Sequence, residues 1–286
     1  MKYRLIVLDV DGTLLDSAHR LRPRVAAAVR STQAAGAIVA LATGKLLGSV
    51  LPLLAEMEVA GPQITLNGAA TQESATGRAL RFCPLTTACH RAVVRLVRAL
   101  DPGVLISHFT LDAILMDRPH PLIPIFAEYG EAPPTLVPDL LAPDLPPAAK
   151  ILLAGEPERL AVLRQAVAPR LPAQVHMTTT TPDFLEFFDI GAGKGQALAA
   201  LREALGVPRE AVLAIGDGEN DAPLLAEAGL AVAMDNAAAV TRAAATRIAP
   251  SNDDDGVAVI LEELLAAHDD RSTASPSSAD AGTYSS

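Results

Sequence analysis

Aromatic residues are scarce in this chain of 286 residues: there is no Trp, and only three Tyr and six Phe. A core must therefore be filled mostly by Ala, Leu and Val. Half of the residues are hydrophobic, enough for one large domain or two ordinary ones. Basic residues are also in deficit. Lys and Arg number 23 against 33 Asp and Glu, a formal net charge of −10. That balance argues against a nucleic-acid backbone or an anionic membrane as the main partner, although a local cluster of cations can still hold a small anion. The two cysteines, Cys83 and Cys89, form no CxxC pair, and no His lies at finger-like spacing, so neither a zinc site nor a disulfide framework is expected. Two reduced thiols in a cytoplasmic protein are expected instead. No apolar run is long enough to span a bilayer. Residues 1–8 run straight into an acidic loop without an apolar h-region or a small-residue cleavage site, so no signal peptide is expected.

What is present is a series of short apolar runs that stop abruptly at polar or Gly-containing pairs. Residues 5–8 stop at Asp9, 37–41 before Thr43-Gly44, 64–66 at Asn67-Gly68, 211–215 at Gly216-Asp217, and 230–234 at Asp235-Asn236. Runs that are apolar on both faces read as buried parallel strands. Helical patterns over 22–36, 46–58, 195–205 and 221–228 alternate with them, which predicts an α/β fold with a doubly wound, Rossmann-like parallel sheet. The middle reads differently. A helix over Thr87–Leu100, strands over 104–109 and 113–116, a Pro-rich stretch, a strand over Lys150–Ala154, a helix over 156–168 and strands over 174–179 and Phe184–Asp189 predict an α+β insert. The expected organisation is a core of 1–82 and 190–268, an inserted cap of 83–189, and a disordered tail of 269–286, poor in large apolar side chains.

In a doubly wound sheet the carboxyl ends of the strands share one edge, and ligands bind there. Asp9-Val10-Asp11-Gly12-Thr13 puts two carboxylates just past a buried strand; one can be nucleophile and metal ligand, the other acid and base. A solvated turn with incidental acids is the alternative. Thr43-Gly44 offers a hydroxyl and a backbone N–H to a phosphate oxygen, or simply caps a helix. Lys194, at a helix start, offers a point charge beside the positive helix end. The run 191–195 is not a nucleotide-binding phosphate loop: Phe188 stands where the first Gly is needed, and Gly195 where Ser or Thr is needed. Gly216-Asp217-Gly218-Glu219-Asn220-Asp221 crowds hard oxygen ligands of the kind that suit Mg²⁺.

The DxDGT string at Asp9, Ala42-Thr43-Gly44, Lys194-Gly195 and the GDGxND string from Gly216 to Asp221, in this order, resemble the four motifs of the haloacid dehalogenase superfamily of phosphatases. Asn67-Gly68-Ala69, Asp235-Asn236-Ala237 and Ser251-Asn252 through Gly256-Val257 resemble its Cof-like branch. The resemblance covers nearly all of the chain outside the tail. It implies a Rossmann-like core with an α/β cap, and a Mg²⁺-dependent phosphatase acting on a small-molecule phosphate ester, such as a sugar phosphate or a cofactor phosphate, as a monomer or homodimer. By this resemblance Asp9 is the nucleophile and a metal ligand, and Asp11 the general acid and base with its backbone carbonyl on the metal. Thr43, Gly44 and Lys194 hold the phosphoryl group, and Asp217 is the remaining metal carboxylate. Asn220 and Asp221 position metal waters and Lys194. A phosphomutase shares every motif, and a non-catalytic phosphate-binding module is the rival of another class. Two departures, Lys45 where the branch often has Arg and a Pro-less segment 188–193, fall on no catalytic residue and border the mouth of the site. In the insert, His108, His120, Asp117 and Arg118 are polar candidates for substrate contact, or ordinary loop residues.

Overall fold

A computed structural model describes residues 1–273, with side chains of the last helix described as far as Asp269. The chain opens with β1 (Leu5–Leu8), in which all four side chains are fully buried. α1 (Pro23–Ala34) begins with Pro at its first position, where the missing N–H would have had no helical partner. Then come β2 (Ile38–Leu41), α2 (Leu47–Glu56), and three short strands, β3 (Pro62–Thr65), β4 (Ala70–Glu73) and β5 (Ala79–Phe82). The insert starts at α3 (Thr87–Leu100), capped by the Thr86 hydroxyl, which accepts the Cys89 N–H at 3.2 Å. It continues through β6 (Leu105–Phe109), β7 (Ile114–Met116), α4 (Ile125–Glu128), β8 (Thr135–Leu136), β9 (Lys150–Ala154), α5 (Pro157–Val167), β10 (Val175–Thr181) and β11 (Phe184–Asp189). The chain then returns through α6 (Lys194–Ala204), β12 (Val212–Gly216), α7 (Ala222–Ala226), β13 (Leu230–Met234), α8 (Ala239–Ala244), β14 (Arg247–Ala249) and α9 (Gly256–Thr273).

The first sheet is fully parallel, in the order β14-β13-β12-β1-β2. Because side chains alternate across a strand, Ile6 and Leu8 join one apolar cluster with α1, α2 and α9, and Leu5 and Val7 join the opposite one with α6 and α7. Helices therefore cover both faces, as a doubly wound sheet requires. The second sheet has the order β10-β11-β9-β6-β7-β8 and is antiparallel except between β7 and β8. One of its faces carries Ile106, Ile151, Leu153 and Phe187 and is covered by α3 and α5. The other carries Leu105, Phe109, Leu152 and Phe184 and packs over Leu46, Leu66, Ala69 and Ala70, beside the carboxyl edge of the first sheet.

Two sequence expectations are corrected here. Residues 64–66 do not extend the parallel sheet: one parallel bridge, Ala42 to Ile64, ties them to it, and β3 otherwise pairs antiparallel with β4. The side chain of Gln63 accepts the Leu41 N–H at 2.7 Å, taking a backbone bond that a longer parallel ladder would use. The predicted tail from Asp269 is helical as far as Thr273, because each added residue of a formed helix adds a hydrogen bond without needing apolar burial. The remainder of that expectation, 274–286, lies outside the described residues. Among the described residues no helix is long and apolar enough to cross a membrane. Cys83 and Cys89 are not bridged.

Candidate active site

The ends of the parallel strands bring together side chains that are far apart in the chain. Asp9 stays in the ladder through its N–H, which donates to Ile215 O at 2.9 Å, so its carboxylate is aimed by the end of β1 itself. The chain then turns at Gly12, whose φ of +78° disfavours any side chain. A Cβ there would also lie 2.4 Å from Asp217 Oδ2, so glycine is what lets the loop after β1 touch the loop after β12. Thr13 fastens the two loops, its hydroxyl donating to Asp217 Oδ1 at 2.7 Å.

Lys194, the first residue of α6, is buried between two of these acids. Its ammonium donates to Asp9 Oδ1 at 2.5 Å and to Asp221 Oδ1 at 2.6 Å. Burial works against its charge, but Asp221 and Asp9 outweigh it and raise the lysine above its ordinary value. The other Asp221 oxygen accepts the N–H groups of Asp217 and Gly218, at 3.0 and 2.8 Å, so this carboxylate is saturated and acts as a brace. Burial, then the charge of Asp9, pushes Asp221 up to about 6. Asp217 has no such cation. Burial, followed by the charges of Asp9 and Asp221, drives its carboxyl up to about 9.

Carboxylate oxygens of Asp9, Asp217 and Asp221 all lie within 4.8 Å of one another. Three acids against one lysine leave negative charge uncompensated, and the donors are hard oxygens, so the residues fit a small divalent cation such as Mg²⁺. The side chain of Asp11 is not in this cluster. Its Oδ2 takes an ion pair from Lys45 at 3.1 Å, while its Oδ1 is buried without a hydrogen-bond partner among the described residues. Lys45 thus does more than border the site: it grips the carboxylate read as acid and base. Thr43 is buried, and its hydroxyl accepts the Lys45 N–H at 3.1 Å; Gly44 lines the cavity itself.

The Asn residues singled out in the sequence are the scaffold of these loops. Asn236 donates to Gly12 O at 2.8 Å, Asn252 to Leu15 O at 2.9 Å, and Asn220 to Asn67 Oδ1 at 2.8 Å. Asn67 in turn donates to Glu186 on β11. Glu186 and Lys150 were not singled out by sequence reading. They form a buried pair with N–O distances of 3.0 and 3.1 Å, and Lys150 reaches across to Gly44 O at 2.7 Å. A signal for them exists: a lone Glu inside 184–188 and a Lys heading 150–154 are charges inside otherwise apolar strands, which demands a buried partner.

The cap residues named from sequence sit elsewhere. His108 is buried against His90, with ring nitrogens 3.0 Å apart, and burial, aided at His90 by its neighbour's charge, pushes both rings down to about 4. Asp117 is paired with Arg98, Arg118 donates to Pro102 O, and His120 contacts Gly103 O. All four are structural in their contacts, because polar groups in a small insert are first used to satisfy its own loops. The cavity above Asp9 opens to solvent and is lined by Lys45, Tyr129, Glu131, Lys150, Phe184 and Glu186, among others.

The family model for haloacid dehalogenase-like hydrolases matches residues 6–261. YxeH of Bacillus subtilis (strain 168), provisionally named a phosphatase, is 30% identical over 282 residues, spanning 93% of this chain and 99% of its own. The HMP-PP phosphatase of Serratia proteamaculans (strain 568) is 28% identical, over 82% of this chain and 85% of its own. The crystal structure of a haloacid dehalogenase-like hydrolase from Bacteroides thetaiotaomicron superposes with a TM-score of 0.79 at 29% identity, covering 92% of this chain and 99% of that one.

Proposed function

As this chain belongs to the haloacid dehalogenase-like hydrolase family and is a phosphatase, we propose that it hydrolyses a small phosphorylated metabolite through an aspartyl-phosphate on Asp9. The observation that carries this reading is the meeting of Asp9, Lys194, Asp217 and Asp221 at one sheet edge, although Asp9 and Lys194 are 185 residues apart. Asp9 Oδ attacks phosphorus, and the P–O bond to the leaving alcohol breaks. Asp11 gives its proton to that oxygen, then takes one from water as the water oxygen attacks the same phosphorus. The Asp9–P bond breaks, and inorganic phosphate and a free carboxylate remain. Lys45, on Asp11 Oδ2, holds that carboxyl in place between the two proton transfers. Lys194, with the Thr43 hydroxyl and the Gly44 N–H, offsets the negative charge spread over the transferring oxygens, where most of the catalysis in phosphoryl transfer lies. Asp9, Asp217 and the Asp11 carbonyl would hold Mg²⁺, which supplies further compensation of phosphoryl charge. The 83–189 insert is the part that selects the substrate.

The test is release of inorganic phosphate from phosphorylated metabolites in the presence of Mg²⁺. Activity should vanish with EDTA and return with added Mg²⁺; turnover indifferent to chelation would remove the metal from this scheme, and an isomerised sugar phosphate in place of free phosphate would make the protein a mutase. A second outcome follows from Asp217. Its folded-state value of about 9 exceeds the ordinary 3.8, so the folded protein without metal holds a proton there through neutral pH, and that contribution to stability is lost as pH rises through 4 to 9. The ion must displace this proton, so its binding tightens with rising pH. Mg²⁺ should therefore raise the melting temperature more at pH 8.5 than at pH 6; equal shifts at the two values would refute the assignment of Asp217.

A further inference from the structure

The chain has six Phe and three Tyr, yet four of these aromatic side chains, Phe109, Phe126, Tyr129 and Phe184, line the single cavity above Asp9. They come from three separated parts of the insert, with Phe109 on β6, Phe126 and Tyr129 on α4 and its C-terminal cap, and Phe184 on β11, so chain proximity accounts only for the Phe126–Tyr129 pair. Tyr129 and Phe184 form a tilted pair with centroids 4.7 Å apart and planes at 52°. Most of the charged groups in the same cavity are already bonded within the protein, although the Thr181 hydroxyl is buried without a partner among the described residues. Lys150 has three N–H bonds, and its partners are Gly44 O and both oxygens of Glu186. Glu186 also accepts from Thr180 and Asn67. Lys45 is held by Asp11 and the Tyr129 carbonyl, and Glu131 by the Leu46 N–H and the Ser49 hydroxyl.

A ligand with many hydroxyls needs a donor or acceptor for each one it buries, or it forfeits the hydration it had in water. A flat unsaturated ring asks instead for aromatic faces and edges at contact distance. From this distribution we propose that the leaving alcohol of the substrate carries an aromatic heterocycle close to the phosphate, and is not a sugar. Tyr129 and Phe184 form the wall it packs on, and the closed Lys150–Glu186 network fixes the floor beside Gly44. The proposal rests on the phosphatase reading at Asp9 and narrows its substrate.

The experiment compares kcat/KM with Mg²⁺ for pyridoxal 5′-phosphate and pyridoxine 5′-phosphate against glucose 6-phosphate and ribose 5-phosphate, with acetyl phosphate as a small reference ester. At least one ring phosphate should exceed both sugar phosphates by about tenfold or more. In Tyr129→Leu and Phe184→Leu the ratio of ring to sugar ester should fall by about 3- to 10-fold, the scale of a lost aromatic contact. Tyr129 is partly exposed, so its variant remains informative if the Phe184 variant does not fold. Sugar phosphates hydrolysed as well as or better than ring phosphates, or a ratio unmoved by both substitutions, would overturn the ring assignment while leaving the chemistry at Asp9 intact. No turnover of any ester, acetyl phosphate included, would instead overturn the reading at Asp9 on which the assignment stands.

Discussion

Asp9→Asn is expected to lower kcat by about 10⁴-fold or more, the scale seen when an enzyme loses its nucleophile, with no loss of folded structure. An amide oxygen next to phosphorus has neither the charge nor the basicity to form the phosphoryl bond, and the neighbouring acids are engaged, Asp11 by Lys45. Asp217 is tied to Thr13, and Asp221 to Lys194 and two backbone N–H groups. Stability should hold or rise, because the change removes one of three crowded acids while Lys194 keeps Asp221 as its partner. Steady-state phosphate release together with thermal unfolding checks both halves. Turnover within tenfold of the parent would refute the covalent route.

Lys194→Met should be the most costly single change for folding. The ammonium lies between Asp9 and Asp221 and is 2% exposed. Taking one partner out of a buried ion cluster costs about 3–5 kcal/mol, because the remaining charges stay desolvated. For a domain of this size that is a fall of about 6–20 °C in melting temperature. The pH dependence gives the cause away. In the parent, the raised value of Lys194 means that its contribution is fully present below its ordinary 10.5 and is lost only in strong alkali. In the variant the acids lack their cation and sit even higher than the values of about 6 and 9 that burial already imposes on Asp221 and Asp217. The deficit should therefore be large at pH 8 and shrink toward pH 5 as they take up protons. A loss below about 1 kcal/mol, or one independent of pH, would show that the lysine is not what holds the cluster together.

How far the sequence could be read depended on whether a residue's role is local. Asp9, Lys194 and Asp217 were legible because an acid or a lysine at the end of a fully apolar run or at a helix start has few places to go, and parallel topology fixes which edge it meets. The run 64–66 was misread because an apolar triplet does not reveal that Gln63 diverts the neighbouring backbone bond. Asp11 was assigned on its spacing from Asp9, but its tie to Lys45 depends on how Thr43-Gly44 turns, which no spacing encodes. The insert was legible as helices and strands and illegible as a binding surface. His108 and Asp117 drew notice as polar side chains, yet their partners, His90 and Arg98, keep them for the fold. The residues that do face Asp9, Lys150 and Glu186, are paired across two strands, and only the register of β9 and β11 sets them on one face.

The parallel sheet has a consequence for synthesis. β1 lies between β2 and β12, and the loops it meets are 204 residues apart at Thr13 and Asp217. A ribosome therefore releases the fully buried β1 well before β12, its second neighbour, which follows only after the whole insert has emerged. The antiparallel sheet, with all its strands inside 105–189, can close while the chain is still being made. During that interval β1 and β2 form an apolar ribbon with one unpaired edge, the stage at which nascent chains are most open to mispairing and to capture by chaperones.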